Sequence, residues 1–201
     1  ATRRATAATA SPAAIAARRP APLLRRDFGP GSAWLYAKIY TGESTADRVL
    51  REAIAPVVRD ALGSGDGSHW FFLRYADPDP HLRLRLAGDP ALLTARVLPA
   101  LERAEAALQA AGAVRRVQLD TYQRELERYG GDRGMELVEQ IFWRDSEAVL
   151  AIVELLDGDA GADARWRLAV RGIDSLLEAI GLDADARARV VGSGRDSLGS
   201  E

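Results

Sequence analysis

From Trp70 the chain reads WFFLRYADPDPHLRLRL, and its second half alternates His81, Arg83 and Arg85 with Leu82, Leu84 and Leu86. Side chains of a strand point alternately to its two faces, so the spacing predicts one buried leucine face and one face carrying the histidine and both arginines. Two guanidinium groups on one face repel each other and are costly to strip of water. A strand that places them there offers them to an anion, so the prediction is an anion-binding wall.

The neighbouring residues close this strand into a hairpin. Prolines at 78 and 80 stop a ladder and the aspartates of ADPDP suit a turn, which predicts antiparallel strands over 70–75 and 82–86. Arg74 is in phase with Trp70 and Phe72, and the hairpin is expected to set it opposite Arg83.

β and α signals alternate through the rest of the first half. WLYAKIY (34–40) is aromatic and β-branched enough for a strand, after Pro30 and Gly31 close an amino-terminal arm. Ser44 or Thr45 is expected to cap a helix to about 62, and GSGDGS breaks it. Asp89-Pro90 opens a second helix that ends at Gly112 and bends at Pro99. A fourth strand is predicted over 114–119. TYQRELERYGG follows, and from Met135 apolar residues recur at helical spacing, with a further helix over 164–180 and a short helical stretch over 183–191. Trp143 and Trp166 fall on helix faces expected to be core. Four strands, two connecting helices and a helical end predict an α+β domain. Helices cover one face of a mixed or mainly antiparallel sheet, leaving the other for polar chemistry.

At 201 residues the chain can bury one sizeable core. The predicted organisation is a disordered Ala/Arg-rich arm or linker over 1–29, a domain over 30–192 and a flexible tail over 193–201. A net charge of -2 argues against a general nucleic-acid surface. The absence of cysteine excludes disulfides and thiolate chemistry and fits a cytoplasmic setting. No apolar run approaches the roughly 18 residues of a membrane helix. GSGDG lacks the lysine and hydroxyl of a phosphate-binding loop, and no G-x-S-x-G or paired metal-ligand motif occurs. No metal or cofactor is predicted.

A second basic group lies at Arg124 and Arg128, four residues apart and expected to share a face whether TYQRELERY is helix or strand. Tyr122 joins them only in the strand case. With Glu125 and Glu127 interleaved, the same residues also read as a self-paired, solvated surface. His81, after a proline turn, reads first as structural and second as a catalytic or ligand group, and His69 beside the Gly/Ser loop is the weaker candidate.

WLYAKIYTG, WFFLRYADPDPHLRLRLAG, LDTYQRELERYGG, MELVEQIFWRDSEAV and RWRLAVRGIDSLL, in that order and spacing, resemble the carboxy-terminal domain of lantibiotic dehydratases, also called the thiopeptide-type bacteriocin biosynthesis domain. The similarity runs over about 30–182. In that family a separate amino-terminal domain loads glutamate from glutamyl-tRNA onto Ser or Thr of a precursor peptide. The carboxy-terminal domain then eliminates glutamate, leaving dehydroalanine or dehydrobutyrine; related stand-alone members form the thiopeptide pyridine by a formal [4+2] cycloaddition. The resemblance implies a glutamate-eliminating lyase with no cofactor, the elimination half of a split dehydratase, a cyclase relative or a piece of a longer protein. Its implied partners are a glutamylated precursor peptide and a separate glutamylation protein using glutamyl-tRNA, with a homodimer possible and neither membrane nor direct nucleic-acid contact.

The resemblance maps the family's essential arginines onto Arg83, Arg85 and Arg124. Arg74, Tyr122 and Arg128 are expected to bind substrate, with His81 as base or acid. Eliminating family members also use a histidine near the end of a longer carboxy-terminal stretch, and no histidine follows His81 here. That departure supports a non-catalytic peptide-binding module of the same biosynthetic complex as the alternative.

Overall fold

The computed structural model describes residues 25–156 and 158–198. Residues 1–24 of the expected arm lie outside them. Within the arm's expected limits, β1 (Asp27–Phe28) is a short strand, so order begins before Pro30.

β2 (Trp34–Tyr40), β3 (Gly67–Tyr75), β4 (His81–Gly88) and β5 (Arg116–Leu119) form one antiparallel sheet in the order β3-β4-β2-β5. β1 pairs separately with β6 (Tyr122–Gln123). The predicted hairpin and its leucine phase hold. Leu82, Leu84 and Leu86 are buried with Leu35, Ala37, Ile39, Trp70 and Phe72 in the main core. Two helices, α1 (43–64) and α2 (90–110), cover that face.

Both helices contain a proline, which donates no backbone hydrogen bond and crowds the carbonyl one turn earlier. Each responds with a widened π turn just upstream, Leu50–Ile54 before Pro56 and Leu93–Val97 before Pro99. Asp89 caps α2 as expected, its carboxylate accepting the N–H groups of Ala91 at 2.9 Å and Leu92 at 3.1 Å. α1 starts after Gly42 with no side-chain cap, and the Thr45 hydroxyl instead donates to the Gly42 carbonyl.

The carboxy-terminal part is helical: α3 (Asp132–Leu155), α4 (Gly158–Ala179) and α5 (Ala184–Leu198). α5 continues beyond 192, so helix replaces the start of the expected tail. α3 lies along the β3 edge and blunts it, since Ser146 Oγ accepts the Phe72 N–H at 3.1 Å. Glu147 takes the indole N–H groups of Trp70 and Trp143. Trp143 packs against the core as expected, whereas Trp166 is 67% exposed, because α4 leaves that face uncovered. Among the described residues no helix is long and apolar enough to cross a membrane.

Candidate functional site

The sheet face opposite α1 and α2 carries His81, Arg83 and Arg85 of β4. Antiparallel register sets Tyr36 opposite Arg85, Lys38 opposite Arg83 and Tyr40 opposite His81 on one side of β4, with Phe71, Leu73 and Tyr75 opposite the same three on the other. His81, Arg83 and Arg85 therefore share a face, as their alternation predicted, inside an aromatic frame.

At one end His81 is buried, its ring 5.0 Å from that of Tyr40 and 5.8 Å from that of Tyr75. Arg83 Nε donates to His81 Nε2 at 3.0 Å, and His81 Nδ1 lies 2.7 Å from the Asp79 carbonyl. A guanidinium only donates, so Nε2 is the lone-pair nitrogen and Nδ1 carries the proton. His81 is thus held in one neutral tautomer, with the acceptor nitrogen facing Arg83. A cavity of about 320 Å³ opens beside it, lined in part by Thr41, Arg74, Tyr75 and Pro80.

The Arg83 guanidinium lies 3.3 Å from the centre of the Tyr75 ring, and that of Arg85 lies 4.6 Å from Tyr36 and 4.5 Å from Tyr122. Both arginines are half-buried, and among the described residues neither forms an ion pair. Arg85 Nε is buried without a hydrogen-bond partner. Burial pulls the Arg85 guanidinium below its ordinary pKa, partly countered by the Tyr36 and Tyr122 oxygens. Aromatic faces stabilise a cation without using its N–H donors. Apart from the Arg83 Nε–H given to His81, the donors of both guanidiniums are therefore open to an anion.

Arg124 lies beyond Arg85 but is already engaged. Its Nε and Nη2 bind the Glu139 carboxylate at 2.8 and 2.6 Å, and the Tyr122 hydroxyl donates to Glu139 Oε1 at 2.8 Å. Glu139, on α3, is 2% exposed. Burial opposes the charge on Arg124, yet the hydrogen bonds and charge of Glu139 raise its pKa, while burial and Glu139 together raise that of the Tyr122 phenol. This clamp fastens β6 to α3 and sets Tyr122 under Arg85. It also borders a cavity of about 510 Å³, lined in part by His69, Arg133, Glu136 and Gln140. Burial lowers the pKa of His69, which stacks edge-on to Trp34.

Two expectations are corrected. Arg74 pairs in register with Leu82, not Arg83, and lies on the helix-covered face, where it bonds Asp47 of α1. Strand phase with Trp70 and Phe72 required that face, since both are core residues. Arg128 does not share a face with Arg124. Residues 124–125 are irregular and 126–130 form a turn, so neither helical nor strand spacing applies, and Arg128 points outward to Glu125. Tyr122 joins the site as the strand case anticipated.

Sequence reasoning missed Glu139, Tyr36 and the ion pair between Lys38 and Asp120. Lys38 was legible in principle, because it alternates with Tyr36 and Tyr40 in WLYAKIY. Its partner sits at the end of β5, where the Asp120 N–H donates to the Tyr36 carbonyl at 3.0 Å. The Lys38 hydrogen bond holds the Asp120 carboxyl below, and the Lys38 ammonium above, their usual values.

The sequence profile described as lantibiotic biosynthesis dehydratase C-term matches residues 34–201. Subtilin biosynthesis protein SpaB of Bacillus subtilis is 33% identical over 126 residues, 63% of this chain and 12% of the relative. Nisin biosynthesis protein NisB of Lactococcus lactis subsp. lactis is 32% identical over 133 residues, 66% of this chain and 13% of the relative. The chain thus spans about an eighth of the length of these relatives. Among solved structures, the tRNA dependent lantibiotic dehydratase MibB from Microbispora sp. 107891 superposes with a TM-score of 0.59 at 34% identity, covering 64% of this chain and 12% of that one. TsrL superposes with a TM-score of 0.53 at 22% identity, covering 68% of this chain and 38% of that one, a likeness of fold alone.

Proposed function

The chain belongs to the lantibiotic dehydratase carboxy-terminal family, which acts in the biosynthesis of ribosomally made peptides, and from this premise we propose that it eliminates glutamate from glutamylated Ser or Thr of a precursor peptide. The observation that carries the reading is the pair Arg83 and Arg85, two guanidiniums framed by aromatic rings, half-buried and, among the described residues, free of carboxylate partners.

Elimination removes the Cα proton of the modified residue, forms the Cα=Cβ double bond and breaks the Cβ–O bond, so that glutamate leaves as a carboxylate. Negative charge develops on the peptide carbonyl and on the departing carboxylate. Guanidinium forks grip such oxygens bidentately and stay charged throughout. In this reading Arg83 and Arg85 bind the glutamyl group and stabilise that charge. Arg124 keeps a supporting part, since Glu139 occupies its fork and the pair positions Tyr122 beneath Arg85. His81 serves as proton acceptor: its Nδ1–H is anchored on the Asp79 carbonyl, and its Nε2 lone pair is released when Arg83 turns to the substrate carboxylate. Arg74 and Arg128, paired elsewhere, have no part. The elimination also implies a supplier of glutamylated peptide acting from glutamyl-tRNA.

The test is to incubate the purified chain with a chemically glutamylated peptide and measure free glutamate and dehydrated peptide. Release that is lost in Arg83→Ala and Arg85→Ala supports the reading. Tight peptide binding without release selects instead a peptide-binding module, which the occupied state of His81 Nε2 favours as the second reading.

A further inference from the structure

A glutamyl ester presents two charges, a γ-carboxylate and an α-ammonium, separated by its Cα, Cβ and Cγ carbons. Arginines answer only the first. On the same face stand Lys38, one strand across from Arg83, and its ion-pair partner Asp120, just past the end of β5 on the far side of β2, with side chains 20% and 34% exposed. Asp120 Oδ1 accepts the Thr121 N–H at 2.7 Å and Oδ2 accepts the Lys38 ammonium. A carboxylate offers about four acceptor sites, so both oxygens retain capacity. Cross-strand neighbours lie about 4.5–5.5 Å apart. That spacing sets Lys38 beside Arg83, and Asp120, one strand further, is still near enough to feel the Arg83 charge, so the long Arg83 side chain and the Asp120 carboxylate offer opposite charges on one face to the two ends of an amino acid.

We propose that Asp120 is a specificity residue that recognises the α-ammonium of the glutamyl group, while Lys38 holds its carboxylate at the sheet face beside Arg83. The inference rests on the elimination reading and adds what that reading lacks, a reason for glutamate to be preferred over a plain dicarboxylic ester. Asp120 is anchored for this role from its backbone as well, through its N–H bond to Tyr36. An unpaired ammonium brought to a face holding Lys38, Arg83 and Arg85 meets only like charge unless Asp120 receives it.

The experiment compares two serine-linked peptide esters, glutamyl and glutaryl, which differ only in the amino group. Glutamate or glutarate release and dissociation constants are measured for the wild-type chain, Asp120→Asn and Asp120→Glu. One charged hydrogen bond lost predicts roughly a 10–100-fold fall for the glutamyl ester in Asp120→Asn, with the glutaryl ester changed by less than about threefold and Asp120→Glu restoring part of the preference. Equal losses for both esters, or no change for either, overturn the proposal. If wild type releases neither acid, the elimination reading fails by itself, and the ratio of the two dissociation constants in wild type and Asp120→Asn still decides the role of Asp120.

Discussion

Glu105 on α2 provides the sharpest test of the fold's energetics. It is 2% exposed, on the stripe that buries Leu101 and Leu108, and its Oε1 has no hydrogen-bond partner. Burial, helped by the nearby charge of Glu102, pushes its carboxyl from 4.5 up to about 8. The native chain therefore keeps a proton at neutral pH that the unfolded chain has lost. Stability is fully present below about pH 4.5 and falls as pH rises toward 8, beyond which it levels off. Each pH unit between these limits costs about 1.4 kcal/mol, so the whole interval amounts to about 5 kcal/mol as an upper bound. Glu105→Gln keeps the shape and cannot ionise. Its own packing cost is independent of pH, so the difference between variant and wild type isolates the titration. Urea unfolding followed by circular dichroism at pH 5, 7 and 9 should show the variant gaining on wild type by several kcal/mol across the range. At this chain length that corresponds to roughly 2–4 °C in Tm per kcal/mol. A difference that is the same at pH 5 and pH 9 would falsify the account, because Glu105 would then be ionised or solvated in the native state.

Three further outcomes test the site. Glu139→Ala leaves the Arg124 charge and the Tyr122 hydroxyl without their buried partner, and should destabilise the chain by about 3–5 kcal/mol in thermal or urea unfolding, against a much smaller loss for Glu125→Ala at the exposed pair with Arg128. His81→Gln retains an oxygen acceptor for Arg83 but no proton acceptor, so kcat should fall about 100-fold or more while the peptide dissociation constant stays within about threefold; retained turnover would mean that His81 only positions Arg83. Arg85→Lys keeps the charge and loses the planar fork over Tyr36 and Tyr122, and is expected to weaken glutamylated-peptide binding about tenfold by isothermal titration, an undiminished affinity speaking against bidentate recognition.

Much of this molecule was legible in single segments. HLRLRL carried its two faces in its own alternation, because strand phase is a local property of the backbone. Asp89-Pro90 announced the start of α2 through chemistry confined to four residues. The ordered motifs from WLYAKIYTG to RWRLAVRGIDSLL were specific enough for the family. Register and partnership were not readable in this way. Arg74 was assigned the right phase and the wrong neighbour: phase with Trp70 and Phe72 already set it on the leucine face, away from Arg83, and the register then put it opposite Leu82. Arg128 was misplaced because a turn has no period from which to extrapolate. The Glu139 clamp and the Lys38–Asp120 pair join residues far apart in the chain, and no spacing rule connects them.

By itself, then, the sequence determined an α+β domain with a cationic strand face, since burial of leucines at period two obliges the arginines to the other side. Only the tertiary structure decided what those arginines meet. Packing of α3 along β3 brought Glu139 to Arg124 and occupied it, while antiparallel pairing with β2 and β3 left Arg83 and Arg85 against aromatic rings, with only the Arg83 Nε–H spent, on His81. Local geometry sets where a side chain points; the elements packed around it set whether its charge is already satisfied.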